Sequence, residues 1–390
     1  MDFIFILHLV LILIFTKIAG HLSVKLGQPS VLGELIAGVI LGPAILGWVQ
    51  QTSFIHEFSE IGVLVLMFIA GLETDLDQLR KNWKAALAVA VGGVILPFFG
   101  GYGAALSFGM ENHHALFFGL LFCATSVSIS VQTLKEMNQL SSKEGTTILG
   151  AAVVDDILVV ILLAIMMSIL GTSGESVSIG SLIGKKVLFF AVIIAASIWV
   201  VPLMMKWFAK LKVTETVISG GVIIALAFSY FAEWMGIAGI IGAFAAGIAI
   251  SQTEFKHTVE SKLEPIAYSL FVPVFFVSIG LNVDFEGVGS QIGFIIVISI
   301  VAIVTKLLGG ALGARLTGFK GRSSFSIGAG MISRGEVALI IAGTGLASGL
   351  LDPEYYTSLI IMVIVTTLVT PPLLKIMFSN KKEVKLENNR

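Results

Sequence analysis

The most constraining feature of the sequence is a series of long apolar runs, most of them about 18–25 residues in length and separated by short polar breaks. A helix of that length crosses the hydrocarbon core of a bilayer, which is about 30 Å thick. Membrane-spanning strands would instead be shorter and would alternate between apolar and polar residues. Only 13% of the 390 residues are charged, against about 25% in soluble domains. The sequence therefore predicts an all-α, polytopic membrane protein and excludes a soluble fold.

Thirteen of these runs are predicted to span the membrane. They cover residues 3–22, 30–49, 57–74, 84–107, 113–135, 142–171, 180–206, 216–233, 235–253, 263–282, 291–315, 322–348 and 354–378. Lysine and arginine are concentrated in the odd-numbered loops, whereas the even-numbered loops hold only Lys185 and Lys186. Because loops rich in these residues stay in the cytoplasm, the N-terminus is predicted outside and the C-terminal tail, 379–390, inside. That arrangement requires an odd number of spans, in agreement with thirteen.

Two parts of the sequence resemble each other at a constant offset of 209 residues. The matching pairs are Gly71-Leu72 and Asp75-Leu76 with Gly280-Leu281 and Asp284-Phe285, and Leu32-Gly33 and Ala37-Gly38 with Ile241-Gly242 and Ala246-Gly247. The offset carries the first span onto the eighth and the sixth onto the thirteenth, so the seventh becomes a linker. A shift of seven spans reverses the orientation of the second copy. Such inverted repeats are typical of secondary transporters, which bind their substrate near the midplane of the membrane.

Five ionisable residues fall in the middle of predicted spans: Asp155, Asp156, Lys306, Arg334 and Glu336. A charge at the bilayer centre costs at least about 2.5–3.5 kcal/mol, so such residues are candidates for function. Asp155 and Asp156 point about 100° apart on a helix and therefore make different contacts. Two carboxylates this close cannot both stay ionised without a cation, so Lys306 is the predicted partner of one of them. A permanent ion pair that only joins helices is the structural alternative, but it would leave one carboxylate unpaired.

Two polar interruptions are related by the same offset, which carries Thr125-Ser126-Val127 onto Arg334-Gly335-Glu336. Symmetric interruptions of this kind are typical of discontinuous helices that meet at an ion site. Hard monovalent cations prefer oxygen ligands. The predicted ligands are Asp155, Asp156, Thr125 and Ser126. Arg334 and Glu336 are predicted to neutralise the ends of the half-helices.

Four motifs combine these residues. They are Val153-Val154-Asp155-Asp156, Ala124-Thr125-Ser126-Val127, Lys306 in the eleventh span, and Ser333-Arg334-Gly335-Glu336. Together they resemble the second monovalent cation:proton antiporter family, in particular its NapA-type and GerN-type sodium/proton antiporters. The resemblance covers essentially the whole chain. An Asp pair alone would not be specific, but its combination with a distant Lys and an Arg-Gly-Glu sequence is.

The resemblance implies two domains and a linker. Residues 1–74 and 216–284 would form a dimerisation or scaffold domain, residues 84–171 and 291–378 the ion-translocating core, and residues 180–206 the linker helix. Asp156 would be the main ion-binding carboxylate and Asp155 would pair with Lys306, so that these three residues couple protons to the cation. The expected partners are a second copy of the chain, the lipid bilayer, protons and Na⁺, with Li⁺ or K⁺ as alternatives. No cofactor and no nucleic acid is expected.

The predicted function is electrogenic exchange of Na⁺ for protons across the plasma membrane by an elevator-type alternating-access mechanism, without enzymatic activity. A K⁺/H⁺ antiporter or a K⁺ efflux system is the first alternative, although the glutathione-gated potassium efflux branch of the family has Gln in place of Asp155. A cation channel would not need protonatable groups that compete with the ion. An intramembrane aspartyl protease needs its two Asp on different helices, whereas Asp155 and Asp156 are adjacent.

Overall fold

The computed structural model of the protein describes residues 3–170, 179–283 and 288–387. In these ranges the chain forms helices joined by turns and short extended segments, and it forms no strand. The prediction of an all-α protein is confirmed. A helix satisfies its backbone hydrogen bonds internally, which the hydrocarbon interior requires because it holds no water to replace them.

Eighteen α-helices lie in the described ranges. They are α1 (Ile4–Lys25), α2 (Ser30–Leu41), α3 (Ser53–Glu73), α4 (Leu76–Lys81), α5 (Trp83–Ser107), α6 (Asn112–Leu121), α7 (Val127–Glu136), α8 (Lys143–Leu170), α9 (Ile179–Ala195), α10 (Val201–Ala209), α11 (Thr216–Trp234), α12 (Gly239–Ser251), α13 (Lys256–Ile266), α14 (Val272–Leu281), α15 (Ile292–Leu316), α16 (Arg322–Gly330), α17 (Glu336–Ala347) and α18 (Pro353–Glu387). π-helical turns at Ala196–Val200 and Ala267–Phe271 continue α9 into α10 and α13 into α14. A 3₁₀ turn at Val288–Gln291 precedes α15.

The described helices group into thirteen membrane-crossing segments. Nine segments are long and apolar enough to cross a membrane on their own. Two more are the short apolar helices α2 and α12, and the last two are interrupted and consist of α6 with α7 and α16 with α17. This number agrees with the one predicted from the apolar runs and the basic loops.

Some predicted spans differ from the observed helices at their ends. α2 ends at Leu41 instead of residue 49, because the Gly42-Pro43 sequence interrupts the helix within an apolar run. The tenth segment begins at Lys256 instead of residue 263, since a polar first turn extends the helix beyond the apolar run. At the other end of the chain, α18 continues through the predicted tail as far as Glu387. Apolar composition therefore predicted the existence of the segments more accurately than the residues at which they begin and end.

The two predicted repeats coincide in secondary structure. Adding 209 to the ends of α5 gives residues 292 and 316, which are the ends of α15. α2 and α12 begin at equivalent positions, Ser30 and Gly239, and so do α7 and α17. Of the matched sequence pairs, Asp284-Phe285 lies outside the described residues. The sequence repeat therefore corresponds to a repeat of helices.

Equivalent glycines bring the two repeats into contact. A Cβ on Gly71 of α3 would lie 2.2 Å from the Phe244 carbonyl oxygen of α12. At the equivalent contact, a Cβ on Gly280 of α14 would lie 2.5 Å from the Leu35 carbonyl oxygen of α2. Small residues permit this close backbone approach, on which helix packing in membranes depends. The pairs α3–α12 and α2–α14 are thus held together by the same contact in both repeats.

The long helices α5 and α15 pack along each other in the same way. A Cβ on Gly309 would lie 2.3 Å from the Gly92 carbonyl oxygen, and a Cβ on Gly92 would lie 2.4 Å from the Gly309 carbonyl oxygen. Lys306 lies about one turn before Gly309. The close approach of the two helices therefore brings the Lys306 side chain against α5, where its Nζ donates a hydrogen bond to Gly93 O.

Candidate functional site

The two interrupted helices meet at their interruptions. α6 ends at Leu121 and α7 begins at Val127, while α16 ends at Gly330 and α17 begins at Glu336. Between the half-helices, Ser126 N donates to Ser333 O at 2.7 Å, and Ser333 Oγ donates to Ser126 O at 2.6 Å. The predicted interruptions are confirmed. The extended segments bind each other through backbone groups that a continuous helix would pair internally.

Two buried, positively charged side chains donate hydrogen bonds to carbonyl oxygens at these interruptions. Lys306 Nζ donates to Cys123 O at 2.5 Å. Arg334 Nη1 donates to Ile332 O at 3.2 Å, and its Nη2 donates to Phe122 O at 2.7 Å. Cys123 and Ile332 are equivalent positions under the offset of 209, so each interrupted helix offers the same carbonyl to a cation. Carbonyl oxygens just beyond the C-terminal ends of α6 and α16 thus accept hydrogen bonds from positively charged side chains.

Asp155 on α8 lies beside these carbonyls and is bound from two sides. Its Oδ1 lies 3.1 Å from Lys306 Nζ, and its Oδ2 accepts a hydrogen bond from Thr125 Oγ1 at 2.6 Å. Both Asp155 and Lys306 are fully buried. The structure thus brings together three residues singled out in the sequence, which come from α8, α15 and the segment between α6 and α7.

The neighbouring carboxylate, Asp156, has different surroundings. It lines a small cavity whose other walls are apolar and come from α3, α7, α8 and α12. The apolar lining residues are Met67, Val127, Leu149, Val153, Ile240, Ile241 and Phe244. Lys186 on α9 is close enough to interact with Asp156 electrostatically. The two carboxylates therefore face separate environments, as adjacent positions on a helix require.

The remaining predicted residues lie at or next to the interruptions. A Cβ on Gly335 would lie 2.8 Å from Ser126 Oγ, so the Ser126 side chain lies against the second interrupted helix. Arg334 is fully buried, and its guanidinium stands 5.5 Å from the centre of the Phe122 ring. Glu336 is the first residue of α17, but its side chain lies outside the described part of the structure.

Sequence reasoning missed two features of the site. Lys306 Nζ binds the carbonyl oxygens of Gly93 and Cys123, and a backbone ligand has no signature in residue type. Lys186 is almost fully buried, and its Nζ donates to Gly236 O at 2.8 Å. The signal that could have identified Lys186 is its position beside an even-numbered loop, where basic residues are otherwise missing from the sequence.

A crevice of about 900 Å³ approaches this site from the side of the predicted cytoplasmic loops. Its lining includes Arg80 and residues of α4, α5, α8, α9 and α12. At its inner end, Val153, Ile241 and Phe244 line both the crevice and the Asp156 cavity. The crevice therefore leads from the protein surface to the wall of the second carboxylate's cavity.

Comparison with known proteins assigns the chain to a family. The family model described as "Sodium/hydrogen exchanger, transmembrane" matches residues 10–379. The chain is 58% identical over 381 residues to the Na⁺/H⁺-K⁺ antiporter GerN of Bacillus cereus, covering 98% of each chain. It is 46% identical over 372 residues to a Na⁺/H⁺ antiporter of Enterococcus hirae, covering 95% of this chain and 97% of that protein.

The fold is also similar to that of a solved structure. The sodium proton antiporter MjNhaP1 of Methanocaldococcus jannaschii matches with a TM-score of 0.72 over 99% of this chain and 98% of that one, at 15% identity. At that identity the likeness shows the fold alone. The family match, by contrast, spans all the residues of the site described above. The chain belongs to the sodium/hydrogen exchanger family.

Proposed function

We propose that this protein is a secondary-active antiporter that exchanges Na⁺ for protons by alternating access. The observation that carries the proposal is the buried Asp155–Lys306 pair at the meeting point of two interrupted helices, with Asp156 next to it in a separate cavity. An exchanger needs groups that bind both a cation and protons, and these three side chains are such groups. The two relatives named above as Na⁺/H⁺ antiporters support the same function.

Asp156 is the main carboxylate for the cation in this proposal. Its cavity is separate from the Asp155–Lys306 pair, so a cation can approach Asp156 without first breaking that pair. An exchanger requires that the cation and a proton compete for the same carboxylate oxygen atoms, and the Asp156 side chain offers such atoms. Asp155, Thr125 and Ser126 supply further oxygen ligands, because all three lie at or beside the first interruption.

Lys306 carries the second proton. When Na⁺ reaches Asp155 and Asp156, its charge competes with the Lys306 ammonium for Asp155. Lys306 then releases one proton and Asp156 releases the other. Two protons therefore move inward for each Na⁺ that moves outward, and one net positive charge enters the cell.

Arg334 and Glu336 have a different role, which is to compensate the ends of the half-helices. An arginine stays protonated in proteins, so Arg334 does not take part in proton exchange. Its hydrogen bonds to Ile332 O and Phe122 O support a role in holding the two interruptions in place. Glu336 stands at the start of α17, where a negative charge is favourable.

Alternating access divides the protein into a core, residues 84–171 and 291–378, and a scaffold, residues 1–74 and 216–284, joined by the helix over residues 180–206. The close packing of α5 on α15 and of α3 on α12 supports this division. A crevice lined by α8 of the proposed core and by α12 of the proposed scaffold supports it as well. The core moves against the scaffold and carries the cation across. Two scaffolds associate in a homodimer, as the family resemblance implies.

In this proposal the protein lies in the plasma membrane, with its N-terminus outside and its C-terminus in the cytoplasm. The bias of Lys and Arg toward the odd-numbered loops supports this orientation. K⁺ is the alternative cation, since one relative is named a Na⁺/H⁺-K⁺ antiporter. Replacing Na⁺ by K⁺ or Li⁺ in the exchange assay decides among the three.

An exchange assay in proteoliposomes tests the function. The protein is reconstituted with a pH-sensitive dye in the lumen, and an outward Na⁺ gradient is imposed. Antiport predicts acidification of the lumen, which Asp156→Asn stops. The matched control is Asp352→Asn, whose exposed carboxylate precedes α18, and it should leave acidification unchanged. Na⁺ efflux without an opposite movement of protons would indicate a channel and contradict the proposal.

A further inference from the structure

The crevice that leads to the site has mainly apolar walls. Among its described lining residues, the polar side chains are Asp77, Arg80, Ser197 and Gln252. Its volume of about 900 Å³ falls within the range of about 300–1,000 Å³ that is typical of sites for organic ligands. Aliphatic walls offer a hydrated cation no ligands, whereas they remove a hydrocarbon chain from water. The crevice is therefore chemically suited to an apolar chain.

Part of the crevice wall is formed by exposed residues of membrane-crossing segments. Leu87 of α5 and Ile194 of α9 line it, and they are 42% and 57% exposed. Ile198 of the adjoining π-helical turn also lines it and is 61% exposed. All three belong to segments long and apolar enough to cross a membrane. In a bilayer these exposed apolar side chains would face lipid, and an acyl chain could then enter the crevice directly from the membrane.

The outer rim of the crevice is basic. Arg80 lines the opening, Lys81 and Lys84 follow it in the sequence, and all three are exposed. None of the three forms an ion pair with a carboxylate of the described residues. Two carboxylates, Asp75 and Asp77, lie on the same short stretch, and Asp75 Oδ1 accepts a hydrogen bond from Asp77 N at the start of α4. The three cations outnumber these two carboxylates, so the rim is attractive to an anion.

We propose that the crevice binds one anionic phospholipid of the cytoplasmic leaflet, with an acyl chain between α5, α8 and α12 and its headgroup on Arg80. Basic residues next to the membrane attract the anionic lipids of that leaflet. Trp83 is 56% exposed beside the rim, and exposed tryptophan is typical of the headgroup region. The proposal depends on the orientation of the chain and not on its transport activity, so either can fail without the other.

Photo-crosslinking in vesicles tests the lipid site. The full-length protein is reconstituted with phosphatidylglycerol that carries a diazirine on one acyl chain, and the labelled peptides are identified by mass spectrometry. Labels are expected on residues 241–252, in and directly after α12, and on residues 150–154 of α8. The same diazirine on phosphatidylcholine should label these stretches about fivefold less, which is the contribution of about one basic residue near the membrane surface.

Two variants separate the headgroup from the chain. Arg80→Gln should reduce labelling by phosphatidylglycerol about fivefold and leave labelling by phosphatidylcholine unchanged. Lys320→Gln is the matched control, since Lys320 is exposed in another predicted cytoplasmic loop, and it should change neither. Ala245→Trp places an indole inside the crevice and should remove labelling of residues 241–252 by both lipids.

Four outcomes would overturn the proposal. Equal labelling by the two lipids, or by the parent and Arg80→Gln, would exclude recognition of an anionic headgroup. Labelling confined to helix surfaces outside the crevice would exclude the site. Protection by soluble glycerol phosphate would show that the basic rim binds free phosphate rather than a membrane lipid.

Discussion

Lys306 and Asp155 lie 3.1 Å apart, and neither side chain is exposed. Opposite charges about 4 Å apart attract each other by about 4 kcal/mol at an effective dielectric constant of about 20. Removing both charges from water costs several kcal/mol for each ion. The hydrogen bonds from Thr125 to Asp155 and from Lys306 to Cys123 O offset part of this cost. The pair therefore has little net stability, so an arriving cation or proton can separate it.

Asp156→Asn should abolish both exchange and cation binding, because the amide keeps the side-chain volume and removes the negative charge. A cation that binds the folded parent raises its melting temperature, with a stabilisation of about 2.7 kcal/mol at a hundred times the dissociation constant. We expect the variant in detergent to melt at the same temperature with and without Na⁺, whereas Asp352→Asn should still respond. Retained Na⁺-dependent proton movement by Asp156→Asn would refute its role.

Asp155→Asn should reduce stability as well as transport, since it leaves Lys306 buried without its counter-charge. Breaking a buried pair on one side costs about 3–5 kcal/mol, which a melting experiment in detergent readily detects. The double variant Asp155→Asn with Lys306→Gln removes the orphaned charge, so it should recover most of the stability but no transport. A double variant that melts as low as the single one would argue against the ion pair.

Gly71→Ala should disrupt the contact between α3 and α12. Its Cβ would lie 2.2 Å from the Phe244 carbonyl oxygen, a backbone atom that can move only if the helices separate. We expect a loss of about 1–3 kcal/mol in thermal melting and a lower yield of folded protein. The control is Gly103→Ala on α5, whose Cβ would meet no atom within 4 Å, and it should be neutral or stabilising by up to about 1 kcal/mol. Equal melting of the two variants would contradict the packing argument.

Alternating access predicts that the first interruption is open to water from one side of the membrane at a time. A cysteine at Thr125 or Ser126, in a Cys123→Ala background, can be labelled with an impermeant maleimide from either side. The side that reacts should change with pH and Na⁺ as the core moves. Equal labelling from both sides under all conditions would contradict alternating access.

Much of this arrangement was predictable because its sequence signals are repeats and isolated charges. The offset of 209 relates the ends of α5 to those of α15. The charges within apolar runs predicted that Asp155 pairs with Lys306, since a buried charge requires a partner. The structure shows this pair. Both signals can be recognised from the type and position of residues in the sequence, without knowledge of tertiary contacts.

Other parts of the site depend on tertiary contacts and could not be predicted. The carbonyl oxygens of Gly93 and Cys123 bind Lys306 only because α5, α6 and α15 converge. The cavity of Asp156 likewise depends on how α12 approaches α8. The end of α2 was misplaced for a local reason, since the apolar run continues past Leu41 while the helix does not.

In the proposed mechanism, the second proton, carried by Lys306, makes transport electrogenic. One elementary charge in a field of 100 mV is worth about 2.3 kcal/mol, so an inside-negative potential should drive Na⁺ out even at equal pH. In one-for-one exchange, Lys306 would be only structural and the potential would have no effect.

The most direct measurement is the initial rate of Na⁺ extrusion from proteoliposomes at equal pH, with and without a potential imposed by a K⁺ gradient and valinomycin. We predict that the parent extrudes Na⁺ faster when the interior is negative, and that Lys306→Gln weakens this dependence or stops transport. A parent protein whose rate is the same at every imposed potential would contradict the two-proton mechanism.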